Sequence, residues 1–114
     1  MINVYVSRDL TSNCITSFEV KGHANYAEHG YDIVCAGVSA VTVGTVNAIE
    51  KLAGIELPVK VKSGFVSSSV PRFNETEVSE KVQLLLESML VMLESIADSY
   101  GDYVKLHNTT SNKS

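Results

Sequence analysis

Three observations predict an α+β fold, with a mixed or antiparallel sheet, two long helices and the order β-β-α-β-α-β. Residues 1–21 alternate apolar and polar side chains in two runs, the period of a half-buried strand. Two longer segments, 32–53 and 74–99, carry apolar residues at helical spacing. Further alternating stretches follow each of them, so strands and helices are mixed along the chain.

The elements follow in order. Ile2, Val4 and Val6 alternate with Asn3, Tyr5 and Ser7, which makes the first strand. Residues 8–13 form a turn. The second run puts Cys14, Thr16, Phe18 and Val20 on one face, and Ile15, Ser17, Glu19 and Lys21 on the other. The two runs form a hairpin, and Cys14 reads as a core position. Gly22 ends the second strand, where its permissive backbone lets the chain turn away. Asp32 is a suitable helix N-cap, because a short carboxylate accepts from the amides of the first turn. On that reading Cys35 lies in the first turn, and Gly54 ends the helix. Large residues such as Val38, Val41 and Ile49 alternate with small ones, Gly37, Ala40, Gly44 and Ala48. A helix apolar nearly all round packs on more than one side, and the small residues let another backbone come close. Val59 and Val61 alternate with Lys60 and Lys62 in one strand, with a bulge at Ser63-Gly64. Residues 67–71 form a loop or a poorly paired strand. Asn74 and Glu77 match a capping box ahead of a helix lined by Val82, Leu86, Met89 and Leu93 and stopped by Gly101. Residues 103–107 make the last strand.

The 114 residues suit one domain, 1–107, with a polar, disordered tail at 108–114. A chain of this size needs no metal or disulfide to fold. Its net charge of −4 argues against nucleic-acid binding. The nine basic residues are scattered, and only Lys60 and Lys62 are close enough in sequence to share a face. No basic-then-apolar leader is visible. The uncharged stretch 33–49 is too short and too polar for a membrane span. A cytoplasmic protein is expected, with two unpaired cysteines.

Cys35 carries the chemistry. A thiol at a helix N-terminus faces unpaired amides and the positive end of the dipole, which favours the thiolate. The plainer alternative is a small buried apolar residue. His23, twelve positions earlier, ends a strand. It can serve as base to the thiol and then as acid to a leaving amine, or it is an ordinary loop histidine. Asp32 can cap the helix, orient His23, or both. The main-chain N–H groups of Cys35 and Ala36 can stabilise an oxyanion. Ser39 lies one turn beyond Cys35 on the same face and either joins the site or bonds its own backbone. A metal set of His23, His29 and Cys35 has spacings of six and six, wider than the tight ligand pairs of zinc sites. His29 reads as a loop residue and His107 as a surface residue. The acids Glu75, Glu77 and Glu80 suit a helix N-terminus.

The run Gly22-His23-Ala24, a loop, then 32–40 (DIVCAGVSA) resembles the ribosomal-processing cysteine proteases of bacteria, the Prp family. The likeness extends over the whole chain in length and element order. It implies a catalytic dyad of His23 and Cys35, with Asp32 at the position of the family's acidic residue and no cofactor or metal. It further implies that Gly22, Ala24, Tyr31 and Ala36 border the substrate and that residues 25–31 form a lid. The implied reaction removes a short N-terminal extension from a large-subunit ribosomal protein, the one numbered twenty-seven. The implied assembly is a homodimer, joined through the small-residue face of the first helix or the wide face of the second. Gly37, where relatives often carry alanine, is a mild departure. A non-catalytic assembly factor that binds the same ribosomal protein is the rival reading, and a His/Cys metal module is a third.

Overall fold

The computed structural model describes residues 1–22 and 29–111, with side chains for 1–22 and 33–110. It contains β1 (Ile2–Asp9), β2 (Ile15–Lys21), α1 (His29–Ala53), β3 (Val59–Lys62), β4 (Phe65–Ser69), α2 (Thr76–Ser99) and β5 (Val104–Ser111). The five strands form one mixed sheet in the order β3-β4-β2-β1-β5. β1 pairs antiparallel with β2 and parallel with β5. α1 follows β2 and α2 follows β4, antiparallel strands that end at opposite ends of the sheet, and the two helices pack against each other over its apolar face.

The expected mixed sheet and two long helices are present. The single strand expected between the helices is instead a hairpin: β3 and β4 meet around Ser63-Gly64, where Gly64 takes φ +68°. Residues 67–69, expected as a loop or a poorly paired strand, lie in β4 and pair with β2. The reason is local, because a glycine able to adopt positive φ turns the chain where a bulge was read.

The β1–β2 register slips once. Ser7 pairs with Ser17 and Arg8 with Ile15, so Thr16 is an extra residue on β2. A bulge of one residue inverts the alternation beyond it. Ile15 therefore joins Phe18 in the core, only 1% exposed, while Cys14 sits half-buried outside the strand. Cys14 is thus not the core position its alternation suggested. The bulge is itself bonded: the Thr16 hydroxyl donates to the Ser7 carbonyl, and the Val70 amide donates to the Thr16 carbonyl at 2.8 Å.

The core is formed by Ile2, Val4 and Val6 of β1, Phe18 and Val20 of β2, Val34, Val38 and Ile49 of α1, and Val82, Leu86, Met89 and Leu93 of α2. Two threonines lie in the buried stripe of α1, and each satisfies its hydroxyl on its own helix, Thr42 on Val38 O and Thr45 on Val41 O. The segment 33–53 is long and apolar enough to cross a membrane by length and composition; here its buried stripe packs inside the domain. Only one side of α1 is covered. Ile33, Val43 and Leu52 are exposed, and a Cβ on Gly44 would meet nothing within 4 Å. The close backbone approach expected at the small residues is therefore absent at Gly44 within this chain.

The helix ends differ in how they are capped. Gly54 takes φ +71° and donates its amide to Glu50 O, the cap read from sequence. The Asn74–Glu77 capping box does not form: α2 begins at Thr76, and Glu75 stands at the N-cap with no side-chain bond. At the far end Tyr100, rather than Gly101, is the C-cap and donates its amide to Ile96 O. β5 runs past His107 to Ser111, pairing residue by residue with β1 as far as Asp9. Four residues assigned to the tail are thus strand, held by a ladder to the central strand; residues 112–114 lie outside the described residues.

Candidate active site

Gly22 fixes one wall. Its φ is +145°, a value that side-chain-bearing residues rarely adopt, and a Cβ there would stand 2.3 Å from the Met1 carbonyl oxygen and 2.8 Å from Ile2 Cα. Its amide donates to the Gly64 carbonyl at 2.9 Å. The end of β2 is therefore clasped between the start of β1 and the β3–β4 turn, and only glycine fits the space.

Cys35 stands opposite. It projects from α1, half-buried against the core, into a groove of about 290 Å³ that Gly22 also lines. Val43 and Ser39 continue the α1 side, while Val61, Phe65 and Lys62 of the hairpin form the other. Val61 is 65% exposed and Val43 is 43% exposed, so the groove is an open apolar trough beside a thiol. Such a trough takes an extended chain carrying apolar side chains. The structure thus brings Gly22, Cys35 and Ser39 to one groove, Ser39 being exposed one turn along.

The helix start differs from the one read off the sequence. α1 begins at His29, so Asp32 is inside its first turn and is not the N-cap. Cys35 lies in the second turn, where its amide and that of Ala36 are within the helical hydrogen-bond ladder. Free amides at Cys35 and Ala36, on which the oxyanion reading rested, are therefore lost, and the dipole acts more weakly this far along. Glu28, His29, Gly30 and Tyr31 include no Ser, Thr, Asp or Asn, so Asp32 is the nearest capping residue by type. Ala36 is exposed and does not line the groove.

His23, Ala24 and residues 25–28 of the expected lid lie outside the described residues. Residues 29–31 of that lid form the opening turn of α1. Of the metal set, Cys35 alone has a described side chain, and among the described residues no group of three or more His, Cys, Asp or Glu can hold a metal ion. His107 is not a simple surface residue: its ring stacks on Tyr5 and its Nε2 lies 3.0 Å from Asn3 Oδ1. Sequence reading missed the hairpin's share in the groove, because Val61 and Phe65 are placed by a turn that had been read as a bulge.

Comparison with known proteins gives a consistent result. The family model described as Cysteine protease Prp matches residues 1–105. A ribosomal processing cysteine protease Prp from Bacillus subtilis (strain 168) is 47% identical over 94 residues, covering 81% of this chain and 84% of its own. The crystal structure of an essential ribosomal processing protease Prp from S. aureus with a substrate peptide matches at TM-score 0.82 and 31% identity, covering 96% of this chain and 100% of that one. A second structure from the same source, with a covalently linked product peptide, matches at TM-score 0.81 and 33% identity, with the same coverage of 96% and 100%.

Proposed function

The chain belongs to the cysteine protease Prp family, and from that membership we propose that Cys35 and His23 are the catalytic dyad of a ribosomal-protein processing enzyme. The observation that carries this reading is the groove: Cys35 opens into an apolar trough whose wall is Gly22, the residue joined directly to His23. His23 takes the thiol proton, and the Cys35 Sγ attacks the scissile carbonyl carbon. The tetrahedral intermediate collapses as the imidazolium protonates the leaving nitrogen, which departs as the new N-terminus of the mature protein. Water, deprotonated by His23, then cleaves the thioester and restores the thiol. The covalently linked product peptide on the S. aureus relative supports an acyl-enzyme route. Asp32 orients the imidazole, and Ser39 lies beside the substrate, as do Gly22, Ala24 and Tyr31.

The substrate of this reading is the N-terminal extension of the large-subunit ribosomal protein numbered twenty-seven, processed in the cytoplasm. The apolar trough suits an extension with large apolar side chains near the cut. Incubating the protein with the extended precursor and reading the masses tests it: one cut at the end of the extension is expected, with a shortened precursor left intact. Tight binding of the precursor without any cleavage would replace the protease by a binding factor.

The active unit of this reading is a homodimer. Leu84 is 70% exposed and Val91 60% on α2, beside a shallow cleft of about 330 Å³ that contains Ala40 and Gly44 of α1. A second copy laid there covers the apolar side of α1 that this chain leaves open. Sedimentation at micromolar concentration should give the dimer mass; a monomer throughout would remove this part of the reading.

A further inference from the structure

The face of the sheet opposite the helices carries a pattern that proteolysis does not use. The strand registers align Lys62, Phe65, Lys21, Asn3 and Lys105 in one row across all five strands. The next row on the same face is Lys60, Ser67, Glu19, Tyr5 and His107. A third holds Ser69, Ser17, Ser7 and Thr109. Neighbouring strands lie about 4.8 Å apart, so Lys62, Lys21 and Lys105 stand on alternate strands at steps of about 10 Å. All three, and Lys60, are exposed, and none forms an ion pair among the described residues. Tyr5 and His107 stack with ring centroids 4.6 Å apart and 14° between planes, and Asn3 holds the imidazole at 3.0 Å.

We propose that this face binds single-stranded RNA, with phosphates along the lysine row and bases against the Tyr5–His107 ring pair. Chain-wide charge points away from nucleic acid, but the charge is divided between two layers. α2 carries Glu77, Glu80, Glu87, Glu94 and Asp98 against Lys81 alone, whereas the first two rows of the sheet face carry four lysines against Glu19. The face is therefore a positive surface on an acidic protein, which is the footprint that phosphate recognition needs. Lysines alone would serve any polyanion. The planar rings in the adjacent row favour a ligand that stacks, and unpaired bases do. The hydroxyls of the third row give partners for 2′-hydroxyl groups. Lys62 also borders the Cys35 groove, so bound RNA would run past the end of the sheet where peptide is cut.

The test is fluorescence anisotropy of a labelled twelve-nucleotide uridine-rich RNA with the full-length protein across a salt series. Saturable binding is expected, with a slope of log K against log salt near −2, about 0.7 per phosphate for three lysines. Lys21→Glu with Lys105→Glu should weaken binding at least tenfold and flatten the slope, and the paired Lys→Gln variants should do so to a lesser degree. Tyr5→Ala and His107→Ala should each weaken binding severalfold with the slope unchanged. Absence of binding at low salt would overturn the proposal. So would DNA of the same sequence binding as tightly, polyglutamate competing equally, or indifference to the two ring substitutions.

Discussion

Where β1 turns into β2, polar side chains tie the layers of the molecule together. Gln83 of α2 reaches the backbone of Ile15, accepting from its amide at 2.8 Å and donating to its carbonyl at 2.9 Å. Arg8 pairs with Glu87 through both terminal guanidinium nitrogens, one of them at 2.7 Å. Asp9 accepts from the amide and hydroxyl of Ser12 and from the amide of Thr11, which holds its carboxyl below its ordinary value. At the opposite end, where β2 stops at Gly22, the layers are separated by the Cys35 groove and the walls are exposed valines. The sheet has one cysteine near each end: Cys35 opens into the apolar trough beside Gly22, and Cys14 borders a wider hollow of about 720 Å³ with Arg72, Phe73 and Gln83. Polar clamps at the Asp9 end hold α2 to the sheet, so the Gly22 end can stay open without loosening the domain. The apolar area left bare there becomes binding energy when substrate covers it, at roughly 25 cal/mol per Å².

The largest effect belongs to the open end and to chemistry alone. His23→Ala should lower the cleavage rate by about 10²–10⁴, with the unfolding midpoint unchanged; a normal rate would break the division of labour between the ends. Gly22→Ala couples the two, because the new methyl meets the Met1 carbonyl on strained backbone. A loss of about 3 kcal/mol in urea unfolding is expected, together with reduced cleavage, and an unchanged midpoint would mean that the clasp is not maintained in solution. At the clamped end the signs reverse. Gln83→Ala removes both partners of the Ile15 backbone and should cost about 1–3 kcal/mol while turnover per folded molecule stays at the wild-type level.

The smallest effect is a pH dependence. The hydrogen bond to Arg8 holds the Glu87 carboxyl below its ordinary value, so its stabilisation is present above about pH 4.3 and is lost as pH falls through the lowered folded value. The pair is partly exposed, 17% and 42%, and solvent screening limits the contribution to under about 1 kcal/mol. Glu87→Gln should lower stability by that amount at pH 7 and converge with the wild type in acid. Curves that stay parallel down to pH 2 would remove the pair from the clamp.

Much of this architecture is legible in the sequence because period and burial coincide. Ile2, Val4 and Val6, and Val82, Leu86, Met89 and Leu93, declare their faces by spacing alone, and all are buried. What spacing cannot reveal is register. One extra residue at Thr16 turned Ile15 inward, and a glycine at positive φ made two strands of one. The lysine row is likewise invisible along the chain, since Lys21, Lys62 and Lys105 meet only through strand pairing. At the site, the Gly22 and Cys35 motif halves were readable as types of residue, and their meeting in one groove follows from the fold. The start of α1 was misplaced because Asp32 is a good cap by type and the residues that precede it are not.

The two cysteines give the most direct test of the central claim. Cleavage of the extended ribosomal-protein peptide would be followed by mass spectrometry for Cys14→Ser and Cys35→Ser, each first shown to unfold cooperatively. A wild-type rate is expected for Cys14→Ser and no product from Cys35→Ser. Product from Cys35→Ser at a rate comparable to the wild type, or its loss in folded Cys14→Ser, would contradict the assignment of Cys35 as the nucleophile.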